Sequence, residues 1–231
     1  VKIVNFDQNS ADWYVWRGMG LGASDAASVL DLKSAFNSKL MLWLDRTGIM
    51  KRPEPNSFAA KAMQRGHDLE PIVRSMFEQV TGASFPAVSA EHDAYPFVRA
   101  SFDGYNASLN EILEIKCPGK ADHAKALKGE VPSKYYAQVQ QQLLVSNALK
   151  CHYVSWDGVS TTYAHVEVLP DLEFQNNLLK ELIAFWALVV ECRLPKVAPS
   201  DIIKIVKQLS EELEKANSTL STLKLISEGL K

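Results

Sequence analysis

The chain has 231 residues, 47% of them hydrophobic and 23% charged, with a net charge of -2. That length and apolar content exclude a largely disordered polymer and support one sizeable core with an appendage, while the near-neutral charge excludes a polycation that binds nucleic acid non-specifically. No basic, apolar and small-residue pattern marks a secretory signal, and the most apolar stretch, Leu178 to Val190, is interrupted by Glu181, which predicts a buried helix of a cytoplasmic protein without a membrane span.

From Ser24, "SDAASVLDL" predicts a short helix with a serine N-cap, and "SKLMLWLDRTG" a second running from a cap at Ser38 to Gly48. After the loop "RPEPNS" a long helix is predicted from about Ser57 to Thr81. Its apolar positions Met63, Leu69, Val73, Met76, Phe77 and Val80 approximate a 3.6-residue period, and Gly82 ends it. Residues 83 to 117 then turn β-prone. "FVRASF" and "EILEIKC" flank the turn-rich "DGYNASLN" and read as a hairpin. "SKYYAQVQQQLLVSNA" returns to helix from a cap at Ser133. "CHYVSW" and "TTYAHVEVL" are two further strands joined at Asp157-Gly158, and a helix from Asp171 to Arg193 closes the domain. The order predicts an α/β fold, a central mixed β-sheet flanked by helices. Beyond the linker "RLPKVAPS", Ile202, Val206, Leu209, Leu213, Ala216, Leu220 and Leu223 alternate steps of four and three, an a/d heptad pattern. Residues 1–198 thus read as one domain and 199–231 as a C-terminal helix that either packs on it or forms a coiled coil.

Cys117, Cys151 and Cys192 are scattered, with no C-x-x-C pair and no zinc-finger histidine spacing, so they are expected to be buried thiols. The lysines at 116, 120, 125, 128 and 134, opposed only by Asp122 and Glu130, are a candidate phosphate-contacting face, although such a run is more often simply solvated.

The predicted strand "EILEIKC" holds the chemistry. Side chains two apart share a face, so Ile112, Glu114 and Lys116 point one way and Leu113, Ile115 and Cys117 the other. Charges in a core strand need each other, water or a ligand. A bare Glu-x-Lys is commonplace as an ion pair, but eleven residues upstream, across the hairpin, Asp103 can face Glu114. Two carboxylates and the Ile115 carbonyl offer hard oxygen donors suited to Mg²⁺, and a lysine beside such a metal suits phosphodiester hydrolysis.

Asp103, Glu114 and Lys116, as D-x10-E-x-K on a hairpin, resemble the PD-(D/E)XK nuclease core, and four stretches resemble its phage lambda exonuclease and YqaJ-type viral recombinase branch: "WYVWRGMGLGASD", "RGHDLEP", "SFDGYNASLNEILEIKCP" and "YYAQVQQQLLVS". The resemblance implies a restriction-endonuclease-like core. It also implies that Glu70 completes a metal site of Glu70, Asp103, Glu114 and the Ile115 carbonyl. Gln138 then helps orient Lys116 and the attacking water, and Arg17, Ser24 and Ser101 grip a 5'-phosphate. A fixed guanidinium fork and two hydroxyls suit a terminal phosphate dianion. His67, three residues before Glu70, stays outside the metal set, and Gln140, Gln141 and Gln142 receive no role.

The implied activity is 5'-to-3' exonuclease digestion of double-stranded DNA ends, with Mg²⁺, or Mn²⁺ as a substitute, leaving 3' overhangs for phage-type recombination. The implied assembly is a ring-shaped homotrimer, with a single-strand annealing protein as partner, in the bacterial host cytoplasm. An endonuclease or branched-DNA nuclease on the same core is the competing enzyme, and a DNA-end-binding assembly protein the competing non-enzyme. An iron–sulfur nuclease is disfavoured, since three scattered cysteines cannot supply four-cysteine ligation.

Overall fold

The computed structural model describes the backbone of residues 1–229 and the side chains of residues 1–211 and 213–221. The chain begins with β1 (Lys2–Val4), α1 (Ala11–Gly18) and β2 (Leu21–Gly22). A 3₁₀ turn at Ala23–Asp25 follows, then α2 (Ala26–Val29), α3 (Lys39–Arg46) and α4 (Ser57–Thr81). The middle holds β3 (Val88–Glu91), β4 (Val98–Phe102), β5 (Gly104–Asn106), β6 (Glu111–Lys116), α5 (Lys120–Ala126) and α6 (Ser133–Ser146). Strands β7 (Lys150–Ser155) and β8 (Ala164–Val168) precede α7 (Leu172–Val190) and the C-terminal α8 (Pro199–Gly229).

Local signals set the helix ends. Ser10, Ser38, Asn56 and Asp171 accept backbone N–H groups at the starts of α1, α3, α4 and α7. Gly82 ends α4 at φ 69°, a left-handed conformation that glycine adopts without a Cβ penalty. Two predicted caps do not act as such. Ser24 lies inside the 3₁₀ turn before α2, and Ser133 is already helical, its hydroxyl 2.9 Å from that of Ser34.

The predicted mixed sheet is present as two four-stranded mixed sheets. The first runs β1-β3-β4-β2 and the second β5-β6-β7-β8, with β2–β4 and β6–β7 parallel and the other pairs antiparallel. Strands β4 and β5 are one run of chain broken only at Asp103, where it leaves the first sheet for the second. Gly104 permits that passage, because a Cβ there would stand 2.6 Å from the Phe85 Cβ. Continuing the Gly104–Leu113 pairing by one residue sets Asp103 opposite Glu114, but the hairpin is not the expected one. Strand β6 pairs with β5, whose residues read as turn, whereas "FVRASF" (β4) pairs with β3 and β2 in the first sheet, because the chain changes sheets at Asp103.

Strand β6 is covered on both faces. Ile112 joins the main core with Val139 and Leu143 of α6, while Leu113 and Ile115 join a second core with Val73 and Phe77 of α4 and Val154 of β7. The two-residue alternation therefore assigns Glu114 to the α6 face. Helix α4 departs from its predicted stripe at both ends, since Met63 and Val80 are exposed. Of the cysteines only Cys151 is buried; Cys192 is exposed, at the turn after α7, and Cys117 is half-buried.

Helix α6 is buried nearly all round, with Gln140, Gln141 and Gln142 fully enclosed. Buried amides need partners, and here they bind neighbouring elements. Gln141 donates to the carbonyls of Leu21 and Arg99, Gln140 to that of Leu169, and Gln142 to that of Ser101.

On α8, Ile205 packs on the main core, but Ile202, Val206, Leu209, Leu213, Ala216 and Leu220 are exposed, and the Leu223 side chain of the heptad series lies outside the described residues. Among the described residues no helix is long and apolar enough to cross a membrane.

Candidate active site

A cleft of about 640 Å³ opens between α1, α4, the β4–β5 break and the end of β6. Glu70, Asp103, Ile115, Lys116 and Gln138 line it, and so do Arg17, Ser24 and Ser101. The structure thus brings eight of the nine sequence-predicted site residues to one surface. The ninth, Glu114, lies just beneath it, 1% exposed.

Glu114 is held from three sides. Its Oε1 accepts from Gln138 Nε2 at 2.6 Å and pairs with Lys116, and its Oε2 accepts from Gln142 Nε2 at 2.5 Å. Asp103 Oδ2 accepts the Ile115 N–H at 2.7 Å, while Glu70 on α4 pairs with Arg74 one turn on. Burial, Glu114 and Glu70 together push the Asp103 carboxyl well above the usual carboxylate range. Burial also raises Glu70, against the pull of Arg74. Burial alone would lower the Lys116 ammonium; Glu114 and Asp103 override it and hold the lysine above its ordinary value. Three carboxylates thus converge on too little positive charge. A hard divalent cation fits this donor set, because it offsets the repulsion and because Asp103 Oδ2, Glu70 Oε1 and Glu114 Oε2, each bonded once, keep a further lone pair.

The other group forms around Arg17. Its guanidinium lies 4.9 Å from the centre of the Trp13 ring, one helical turn earlier on α1, and donates to the Ser24 hydroxyl at 2.7 Å. Trp13 Nε1 in turn donates to the Ser101 and Ser89 hydroxyls, each at 3.1 Å. Behind Arg17, Asp25 is clamped by Arg46 at 2.6 Å and Arg52 at 2.9 Å. Burial pushes the Asp25 carboxyl up, but Arg46, Arg52 and Arg17 outweigh it and bring it down to about 2. Three guanidiniums against Asp25 and Asp45 leave this end of the cleft electropositive.

Several participants have no counterpart among the predicted residues. Gln142 bridges Glu114 and the Ser101 carbonyl. Its only sequence signal is its place four residues after Gln138 on the same helix face. Trp13 has the same relation to Arg17. The lysine run is only partly free to meet phosphate, since Lys116 pairs with Glu114, and Lys134 pairs with Asp122 at 2.8 Å while lying over the rings of Phe36 and Tyr135. Replacing Gln142 with leucine should cost about 2–3 kcal/mol, because it leaves the buried Glu114 Oε2 and the Ser101 carbonyl without this donor. Thermal melting should read this as a fall of roughly 5–10 °C. A shift under a degree or so would show that the amide does not hold Glu114.

Comparison with known proteins agrees in fold and in sequence. Residues 12–149 match the family described as YqaJ-like viral recombinase domain. The uncharacterized protein YqaJ of Bacillus subtilis (strain 168) is 30% identical over 186 residues, 79% of this chain; the chain spans 57% of that relative's length. The alkaline exonuclease LHK-Exo of Laribacter hongkongensis superposes with a TM-score of 0.66 at 24% identity, over 88% of this chain and 100% of that one. LHK-Exo in complex with dAMP gives 0.67 at 23% identity over the same shares. A phage-related exonuclease from Haemophilus somnus 129PT gives 0.54 at 14% identity, over 75% of this chain and 94% of that one.

Proposed function

The chain belongs to the YqaJ-like viral recombinase domain family, and on that premise we propose that it is a Mg²⁺-dependent 5'-to-3' exonuclease that digests double-stranded DNA from its ends and leaves 3' overhangs for recombination. The observation that carries this reading is a single cleft holding both the Glu70–Asp103–Lys116 group, with Glu114 beneath it, and the Arg17–Ser24–Ser101 group. An acidic site alone suits any metal-dependent phosphodiesterase; a neighbouring guanidinium fork with hydroxyls adds a reason to begin at a terminal phosphate.

Glu70, Asp103, Glu114 and the Ile115 carbonyl are the residues that would hold the ion. When bound, Mg²⁺ (or Mn²⁺) supplies Lewis-acid polarisation of the phosphoryl group and a more acidic water. Lys116, paired with Glu114, places its ammonium where it can stabilise charge on the phosphoryl oxygens and act on the attacking water. Gln138 and Gln142 keep the Glu114 carboxylate in one orientation. Arg17, stacked on Trp13, presents its remaining N–H groups to the 5'-phosphate, with Ser24 and Ser101 as neighbouring hydroxyls.

A ring-shaped homotrimer and a single-strand annealing protein are the proposed assembly and partner. The exposed apolar stripe of α8, in the proposed appendage 199–231, is the candidate surface for either. The deciding assay digests linear duplexes with 5'-phosphate or 5'-hydroxyl ends, and a closed circle, in Mg²⁺ or EDTA. The expected result is digestion of linear DNA only, faster from 5'-phosphate ends, abolished by EDTA and by Lys116→Ala, by a chain that sediments as a trimer. Nicking of the circle favours an endonuclease. DNA retention without hydrolysis favours an end-binding protein, and a sedimenting monomer removes the ring.

A further inference from the structure

On the second sheet, the face turned away from α6 carries a polar row beyond the α4 core. His152 on β7 is buried, with its imidazole centre 5.0 Å from that of Phe77 and 5.8 Å from that of Phe85. Its Nε2 lies 2.8 Å from Glu111 Oε2 on β6, and its Nδ1 lies 2.9 Å from Nε2 of His165 on β8. Glu167 is the cross-strand partner of His152, and His165 that of Val154, so both β8 side chains project on the same face as His152. One nitrogen from each histidine and a carboxylate oxygen of Glu167 all lie within 4.8 Å of one another. None of the three residues lines the cleft.

We propose that His152 Nδ1, His165 Nε2 and the Glu167 carboxylate form a second metal site, for a borderline divalent ion of the Zn²⁺ type, that clips β7 to β8. The Glu111 contact is the first reason. A histidine ligand almost always gives its other N–H to a carboxylate, which fixes the tautomer and aims the free lone pair at the metal. With the proton of His152 on Nε2 and directed at Glu111, Nδ1 is an acceptor pointing at His165. The second reason is donor chemistry: two imidazoles and a carboxylate suit Zn²⁺ or Co²⁺, whereas Mg²⁺ favours oxygens alone. Three protein donors leave the fourth tetrahedral position to water, on the side where His165 and Glu167 are exposed.

Two adjustments accompany binding. Tetrahedral donors around Zn²⁺ lie about 3.4 Å apart, so the ring of His165, exposed on an edge strand, backs off by roughly half an ångström while its Nε2 proton passes through water to Nδ1. The Lys150 ammonium, 2.6 Å from Glu167 and 3.5 Å from Glu111, leaves Glu167. Lys150 thus occupies the anionic side of the site when no metal is there.

The test titrates Zn²⁺ calorimetrically into the full chain carrying Asp103→Asn, which weakens binding in the cleft, and follows Co²⁺ absorption in parallel. The expected result is one equivalent bound, the intense visible bands of four-coordinate Co²⁺, a raised melting temperature with Zn²⁺, and no displacement by millimolar Mg²⁺. Adding His165→Ala, at an exposed position of the edge strand, should weaken binding at least tenfold and remove the melting shift, and adding Lys150→Gln should tighten binding. Absence of saturable Zn²⁺ binding to the Asp103→Asn chain, weak six-coordinate Co²⁺ bands, or equal affinity in the His165→Ala chain would overturn the proposal. The proposed nuclease activity is independent of these outcomes, because His165→Ala should leave Mg²⁺-supported digestion unchanged.

Discussion

Asp103→Asn should lower DNA hydrolysis by at least about 10³-fold and yet, in EDTA, melt a few degrees above the native chain. The two effects share one cause. Asp103 stands against Glu114 and Glu70 with its carboxyl pushed well above the usual range by burial and by those neighbours, so without a cation its negative charge destabilises the folded state. Asparagine keeps an acceptor for the Ile115 N–H and removes the charge. The sign of the pH dependence follows. Above the ordinary aspartate value and below the raised one, the folded chain holds more protons than the unfolded chain, so stability falls as pH rises through that interval. The variant should lack this part of the slope. Saturating Mg²⁺ should reverse the ranking, because only the native chain gains the binding free energy in full. Melting at pH 5 and 7.5, with Mg²⁺ or EDTA, gives all four comparisons. A variant that melts lower in EDTA, or that digests linear duplex at near-native rate, would remove Asp103 from the proposed metal site.

The parts of the fold that were legible in the sequence are those with local causes. The bounds of α4 follow from a cap at its start and Gly82 at its end, and the alternation in β6 rests on a period of two that any strand obeys. Strands β1 and β2 were not legible, because three and two residues are too few for any periodicity; they exist through pairing with β3 and β4. Ser24 shows the opposite failure. Its local signal was that of a helix cap, but the chain there makes a 3₁₀ turn and the hydroxyl takes Arg17 instead.

The site divides the same way. Asp103, Glu114 and Lys116 were readable because they lie close together in the chain and the period of two puts Glu114 and Lys116 on one face, although the strand that opposes β6 is β5 and not the "FVRASF" run. The surrounding support was not, because its partners are distant in the chain. Gln142 reaches Glu114 from 28 residues away, and Trp13 reaches Ser101 from 88. The same applies to His152, which meets Glu111 across β6 and β7 and His165 across β7 and β8, and which looked like an ordinary strand residue.

Arg17→Ala should slow digestion of 5'-phosphorylated ends roughly 30- to 150-fold, equivalent to about 2–3 kcal/mol for a charge-assisted contact, and leave 5'-hydroxyl ends little changed. The expectation rests on how the guanidinium is held. Among the described residues it lies over the Trp13 ring and donates to the Ser24 hydroxyl, contacts that position it without neutralising it. Asp25, the nearest carboxylate in the network, already serves Arg46 and Arg52. The charge therefore remains available to a phosphate dianion, and losing it costs the fold little. Arg17→Lys should recover only part of the preference, since an ammonium supplies the charge but neither the planar fork nor the stacking on Trp13. The discriminating quantity is the ratio of rates on the two kinds of end. If alanine slows both ends equally, Arg17 acts through the fold. If the ratio collapses towards one while melting holds within a degree or two, Arg17 is the group that recognises where the strand begins.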